Sequence, residues 1–338
     1  MKTPVGIAGF RGYSGAELIA YLSRHPHAEP VLLEHREPPA SKGEDRPLHR
    51  PGPRLVACTA EAVRREGLAA VFLATPPEVS MELSAGMLDA GAKVIDLSGA
   101  FRLGTPENYR RWYKEDHSQA ELLAEAVYAL PEFCRAAVPK ARLISNPGCY
   151  PTAANLAIKP LVDAGAVVRE HGIVCDAKSG VSGAGRKASL KTSFCEVTEN
   201  FSAYALLDHR HVPEVLHISG LDDSEFSFTA QLIPIDRGIL ETVYFHASEK
   251  IRSAEDLLAI YQARYGEEPF VRLYAPGRIP DLHAVARTNF CDIGFKFDAL
   301  TRRAVVVSVI DNLGKGAAGQ AVQNMNLALS FPETAGLL

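Results

Sequence analysis

Short apolar runs rich in β-branched residues recur through the first half of the chain: "PVGIAGF", "PVLLEH", "AVFLATPP", "AKVIDLSG" and "ARLISNPG". Between them lie stretches with the helical spacing of apolar positions, among them "SGAELIAYLSRHP" and "PEVSMELSAGMLDAG". Parallel strands covered on both faces read as continuous apolar runs, and each needs a crossover before the next. The alternation therefore predicts an α/β architecture with a parallel, doubly wound sheet of the Rossmann type. The stretch "REPPASKGEDRPLHRPGPR" (36–54) breaks the pattern with Pro, Gly and charge, and reads as a solvated loop after the second strand.

From about residue 171 the apolar period shortens to two. "SEFSFTAQLIPI", "LETVYFHAS", "ARTNFCDIGFKF" and "RRAVVVSVIDN" predict an α+β domain with a mixed, largely antiparallel sheet. The stretch "GAAGQAVQNMNLALSF" (316–331) opens with small residues and continues with a helical period through Ala321, Met325, Leu327 and Leu329, a helix expected to pack back on the first domain.

A chain of 338 residues with 47% hydrophobic content has enough apolar material for two cores. Lys and Arg total 36 against 40 Asp and Glu, a net charge of −4, which gives no basic footprint for nucleic acid or an anionic membrane. A small-molecule partner is the expectation. No apolar run is long enough to span a bilayer, and "MKTPVGIAGF" lacks the features of a signal peptide, so a cytoplasmic protein is expected. The six cysteines show neither a C-x-x-C pair nor zinc-site spacing; they read as free thiols in a reducing compartment, with no metal site.

Two groups of residues then carry candidate chemistry. In "GIAGFRGYSGAEL" glycines recur every third position between a strand and a helix, where backbone N–H groups can approach a pyrophosphate. This assigns Gly9, Gly12, Tyr13, Ser14 and Gly15 to a dinucleotide. After the second strand, Glu34 sits where an NAD site places its ribose-binding acid, but Arg36, with Ser41 and Lys42 beyond it, favours a 2′-phosphate and hence NADP.

The second group centres on sulfur. In "SNPGCYPTAA" Cys149 follows an Asn-Pro-Gly turn and precedes Pro151, which suits a first helical turn. A helix N-terminus lowers a thiol pKa, so the placement is expected to activate the sulfur. Cys175 and Cys291 fall inside strand patterns and read as core. "DHRHVPEV" offers His209, Arg210, His211 and Glu214; a thiol nucleophile needs a proton-transfer partner, and His211 is preferred to His209 because Glu214, three residues on, could orient its ring. In "AKSGVSGAGRKASLK" (177–191), Ser182 and Gly183 suit the nicotinamide end of the cofactor or an anionic substrate, and "DLSGAFRLG" places Ser98 and Arg102 at a strand end, where Arg102 could grip a phosphate.

Together these stretches resemble the N-acetyl-γ-glutamyl-phosphate reductases, relatives of aspartate-semialdehyde dehydrogenase. The likeness covers nearly the whole chain and rests on "GFRGYSGAEL", "LATPPEVS", "DLSGAFRL", "YALPEF", "SNPGCYPTAA", "DAKSGVSGAGR", "HRHVPE", "IPIDRGIL" and "DNLGKGAAGQAVQNMN" in that order. It implies an NADP-dependent acyl-phosphate reductase of arginine biosynthesis. Cys149 would form a thioester, His211 would move the proton, NADPH would deliver hydride, and Ser98, Arg102, Asn146, His209 and Arg210 would hold the substrate. It also implies a homodimer or homotetramer, an NADP-binding domain of residues 1–148 with 313–338, and a catalytic and oligomerisation domain of 149–312. The chain departs from the family pattern in two places: "LSGAFR" stands where "LSADFR" is expected, and Gln231 stands where a histidine is usual. Two other readings stay open, a reductase of carrier-linked aminoadipyl or glutamyl phosphate and a non-catalytic NADP-binding redox sensor.

Overall fold

The structure is a computed structural model that describes residues 2–35 and 52–338. Two seven-stranded sheets organise the chain. The first contains β1 (Thr3–Ala8), β2 (Ala28–Glu34), β3 (Arg54–Ala57), β4 (Ala70–Leu73), β5 (Lys93–Asp96), β6 (Val127–Tyr128) and β7 (Leu143–Ser145). All its pairings are parallel, in the order β3-β2-β1-β4-β5-β7-β6. The continuous apolar runs became its interior strands. The two strands that the pattern did not reveal, β3 and β6, are short, and β3 is mostly exposed, so neither carries an apolar run. Strand order reverses between β1 and β4, and in an open parallel sheet the ligand crevice opens beside the strand ends at that point.

The second sheet contains β8 (Ile173–Ser179), β9 (Ser202–Tyr204), β10 (Phe226–Leu232), β11 (Ile239–His246), β12 (Val271–Leu273), β13 (Cys291–Asp298) and β14 (Arg303–Ile310). Its order is β12-β13-β14-β11-β8-β10-β9. Antiparallel pairs predominate, but β10 runs parallel to β8 and β12 parallel to β13. A parallel neighbour needs a long crossover; residues 180–225 supply the one between β8 and β10, and it carries most of the side chains discussed below.

One face of this sheet is covered by the helix Cys149–Asp163. Cys175 and Ala177 of β8, Val243 of β11, Phe295 of β13 and Val306 of β14 pack in one core with Ala153, Leu156, Ala157 and Leu161 of that helix. Alternation along β8 and β11 is what the sequence period of two requires. Pro160 inside the helix has no N–H for the Leu156 carbonyl one turn earlier. The Tyr265 hydroxyl donates to that carbonyl instead, at 2.7 Å. The helix is thus held rigid although its sequence interrupts its own ladder.

The helix Gly319–Ala328 follows a π-helical turn, Gly314–Ala318, and buries Ala321, Val322 and Met325 against Val5, Ile7 and Leu18 in the core of the first sheet. Among the described residues no helix is long and apolar enough to cross a membrane.

Candidate active site

The end of β1 turns sharply into the helix Tyr13–Ser23. Gly9 has φ +77°, and a Cβ there would lie 2.1 Å from the Ala74 carbonyl oxygen at the end of β4. A Cβ at Gly15 would lie 2.4 Å from the Gly9 oxygen, so both positions admit only glycine. The helix begins at N-cap Gly12 with no side-chain cap, which leaves its first N–H groups open toward the crevice. Gly12, Tyr13 and Ser14 line one end of a cavity of about 440 Å³ that runs past Thr75, Ser98 and Arg102 to Cys149 and His211. An elongated cleft with bare helical amides at one end and a thiol at the other fits a dinucleotide whose phosphates rest on the helix terminus. Ser182 and Gly183 line the same cleft at the Cys149 end. Glu34 accepts from Arg11 at 2.6 Å. Arg36, with Ser41 and Lys42, lies outside the described residues.

Cys149 is the first residue of its helix, behind N-cap Gly148. A Cβ at Gly148 would lie 2.7 Å from His211 Nε2 and 2.9 Å from Arg102 Nη1, so glycine here is what lets an imidazole and a guanidinium close on the nucleophile loop. Behind the sulfur, a Cβ at Gly316 would lie 2.9 Å from Cys149 Cβ. The expectation of a thiol tuned toward neutrality is corrected by this packing. Burial pushes Cys149 up to about 11, against the opposite pull of the Tyr150 N–H and Arg102. A protonated thiol in this site needs a base to release it.

His211 lines both cavities together with Cys149. Burial first, then His209, Arg102 and Arg210, hold its pKa well below the ordinary 6.5, so the ring is neutral at pH 7 and free to accept a proton. Its Nδ1 is buried without a hydrogen-bond partner among the described residues. Burial and Arg210 lower His209 to about 4. The His211 backbone N–H donates to His209 Nδ1 at 3.2 Å, which leaves the His209 proton on Nε2.

The role expected for Glu214 needs correction. Its Oε1 stands 3.9 Å from His211 Nε2, too far for a hydrogen bond, because the carboxylate is occupied elsewhere. It accepts from Arg102 Nη1 at 3.2 Å, Tyr128 Oη at 2.9 Å and the Gly148 N–H at 2.9 Å. Glu214, fully buried, therefore ties the nucleophile loop to two segments of the first sheet rather than orienting the imidazole. Tyr128 was not legible beforehand: it lies on a two-residue strand with no pattern of its own.

Arg102 is also more committed than its sequence position foretold. Nε donates to the Asn146 carbonyl at 2.9 Å and Nη2 to the Leu97 carbonyl at 2.8 Å, besides the pair with Glu214. A guanidinium has five N–H bonds, so donors remain on the side that lines the cleft. The Ser98 hydroxyl donates to Asp96 Oδ2 at 2.8 Å and accepts from the Ala100 N–H at 3.1 Å. Asn146, expected on the substrate, is 1% exposed and lines neither cavity. Its amide donates to the Ala317 carbonyl and accepts from Asn324, so it clasps the nucleophile loop to the C-terminal helix.

A second cavity of about 410 Å³ opens on the other side of Cys149, lined by Tyr150, Ser179, Lys191, Thr192, Tyr204, His209, Arg210 and His211 among others. Arg210 is exposed and lines both cavities, and it makes no hydrogen bond or ion pair among the described residues. Lys191 lies over the Tyr204 ring at 4.5 Å, and the Tyr150 and Tyr204 hydroxyls are 3.1 Å apart. Tyr150 and Lys191 lie in stretches that the sequence marks, but their meeting with Tyr204 is made only by the fold. Gln231 turns its side-chain amide to Asp176 while its backbone carbonyl accepts from Tyr150 at 3.2 Å, so this departure from the family pattern stands behind the cavity wall.

A doubly wound nucleotide-binding sheet, a mixed second sheet and a thiol at their junction beside a neutral imidazole define the class of the semialdehyde dehydrogenases. The family model for the semialdehyde dehydrogenase NAD binding domain matches residues 4–141, and that for the dimerisation domain matches 149–312. Among solved structures, aspartate semialdehyde dehydrogenase II from Vibrio cholerae superposes with a TM-score of 0.73 over 98% of this chain and 99% of its own, at 19% identity, a likeness of fold. The N-acetyl-gamma-glutamyl-phosphate reductase of Symbiobacterium thermophilum is 45% identical over 100% of this chain and 98% of its own length. That of Geobacillus stearothermophilus is 45% identical over 98% of this chain and 97% of its own. The chain belongs to the N-acetyl-γ-glutamyl-phosphate reductase family.

Proposed function

We propose that the enzyme reduces N-acetyl-glutamyl 5-phosphate to N-acetyl-glutamate 5-semialdehyde with NADPH and releases phosphate, through a thioester on Cys149. The observation that carries this reading is the meeting of the nucleotide cleft and the second cavity at one half-buried thiol beside an unprotonated imidazole.

Cys149 Sγ attacks the acyl carbon as its proton passes to His211, and the carbon–oxygen bond to phosphate breaks with its electron pair on the leaving phosphate. Bound NADPH supplies the hydride that reduces the thioester. The carbon–sulfur bond then breaks, the semialdehyde leaves, and His211 returns its proton to sulfur. Amides of the first helical turn stand beside the developing oxyanion. Arg102 and Arg210 meet the negative charge of the acyl phosphate, and His209 offers its Nε2 proton to the substrate chain.

In this reading residues 1–148 with 313–338 form the cofactor unit, while 149–312 form the catalytic and oligomerisation unit of a homodimer or homotetramer. The description of the family model over 149–312, and the exposed Val174 and Tyr244 on the open face of the second sheet, support such an assembly. Six unpaired cysteines suit a reducing cytoplasm. A carrier-linked substrate is not favoured, since the named relatives that match the whole chain are N-acetyl-glutamyl-phosphate enzymes.

The test is the reverse reaction: NADP⁺ reduction with N-acetyl-glutamate semialdehyde, wild type beside Cys149→Ala. A rate that requires both phosphate and Cys149 is expected. A rate independent of either contradicts the proposal.

A further inference from the structure

Residue 99 in "LSGAFR" is glycine, and the structure shows what fills the space beside it. A Cβ at Gly99 would lie 1.9 Å from the hydroxyl oxygen of Tyr113 and 2.5 Å from its Cζ. The ring of Tyr113 belongs to the short helix Pro106–Tyr113, where it stacks in parallel on the buried Tyr109 with centroids 4.6 Å apart. This stack fixes the direction of the phenol, and the missing methyl group at residue 99 lets its hydroxyl reach the wall of the nucleotide cleft.

Tyr113 lines that cleft together with Ser98, Gly99, Arg102, Cys149 and Arg210. Its hydroxyl makes no hydrogen bond among the described residues, although the ring is half-buried. A phenol placed beside two guanidinium groups and without a protein partner is suited to donate to an anion held between them. Burial raises the Tyr113 pKa and so keeps the hydroxyl protonated, while Arg102 and Arg210 pull the other way; Glu214 and Asp96 act with burial.

We propose that Tyr113 binds the phosphoryl group of the acyl phosphate, with Arg102 and Arg210 as its cationic neighbours, and that Gly99 is the residue that admits it. The proposal rests on the acyl-phosphate reading above. It makes Tyr113 a substrate-binding residue that acts before the acyl group reaches Cys149 and, in the reverse direction, on inorganic phosphate. It also gives the glycine at residue 99 a physical reason: a Cβ there would collide with the Tyr113 hydroxyl.

The experiment is steady-state kinetics of the reverse reaction, with inorganic phosphate, the semialdehyde and NADP⁺ each varied, on wild type, Tyr113→Phe, Gly99→Ala and the double variant. Losing one hydrogen bond to a charged group is expected to raise the KM for phosphate about tenfold in Tyr113→Phe. The KM values for NADP⁺ and the semialdehyde stay within about twofold, since neither loses a contact. Gly99→Ala displaces the phenol and raises the phosphate KM in the same direction. The double variant matches Tyr113→Phe alone, because both changes remove one interaction. An unchanged phosphate KM in Tyr113→Phe overturns the proposal, as does a rise confined to the semialdehyde, which would place the phenol on the substrate carboxylate. Wild type without phosphate-dependent turnover overturns the acyl-phosphate reading, and the Tyr113 role with it.

Discussion

The two cavities that meet at Cys149 are walled by different kinds of atoms. The nucleotide cleft is lined by Gly12, Gly99, Gly148, Gly183, Gly185 and Gly316, so that much of what it offers is main chain. The second cavity presents Tyr150, Lys191, Tyr204, His209 and Arg210. Backbone can cradle pyrophosphate and a flat ring in any protein of this architecture, since those parts of the cofactor do not vary. In the proposed function, discrimination among acyl chains falls to the side chains of the second cavity, most of them on the 180–225 crossover. The shared thiol and imidazole join a general reductant to a particular substrate.

Substitutions that spare one cavity and damage the other sharpen this contrast. The largest effect belongs to the shared atom. Cys149→Ser should lower kcat by more than about 1,000-fold, since serine is a poor nucleophile at neutral pH and its ester a poor hydride acceptor. NADPH affinity, read by fluorescence titration, should not move.

His211→Gln follows, with a loss of about 100- to 10,000-fold. The depressed His211 pKa sets the sign of the pH dependence. The imidazole stays unprotonated, and the wild-type rate is retained, as pH falls through 6.5; it declines only well below that value. The Gln variant should lack this acid limb in a kcat/KM profile.

On the cleft side, Gly9→Ala forces a side chain onto a φ of +77° and against the Ala74 carbonyl. A stability loss of about 3 kcal/mol is expected in thermal melts, with a higher KM for NADPH and little change in the KM of the acyl substrate. Smallest is a pH effect on the substrate side. His209 titrates near 4 when folded and near 6.5 when unfolded, so the unfolded chain gains the proton first. Stability is therefore complete above about pH 6.5 and is lost progressively as pH falls toward 4. His209→Gln should flatten this part of the Tm profile.

The contrast between cavities also explains what the sequence disclosed. Gly9 and Gly15 were legible because a backbone that must approach backbone leaves a run of glycines in one short stretch. Cys149 was legible because a helix start with Gly148 before it and Pro151 after it is a local pattern. The parallel strands β1, β2, β4, β5 and β7 were legible as apolar runs. Glu214 was legible as a residue but not in its partners: its hydrogen bonds go to Arg102, Tyr128 and Gly148, three positions that only the packed sheets bring together. Asn146 was expected on the substrate from the family resemblance, whereas its amide is spent on Ala317 and Asn324. The helix-terminus argument for the thiol omitted burial, which in this site outweighs it. Tyr113 stayed hidden because its place depends on an absence, the side chain that Gly99 lacks.

Transfer of the acyl group through Cys149, where the two cavities meet, can be seen in a burst measurement. The enzyme is mixed rapidly with NADP⁺ and N-acetyl-glutamate semialdehyde in phosphate-free buffer, absorbance is followed at the NADPH band, and the protein is digested for mass analysis. The account predicts a burst of about one NADPH per subunit, an N-acetyl-glutamyl adduct on the Cys149 peptide, and its discharge when phosphate is added. Steady phosphate-independent turnover, or an adduct on any other residue, would contradict it.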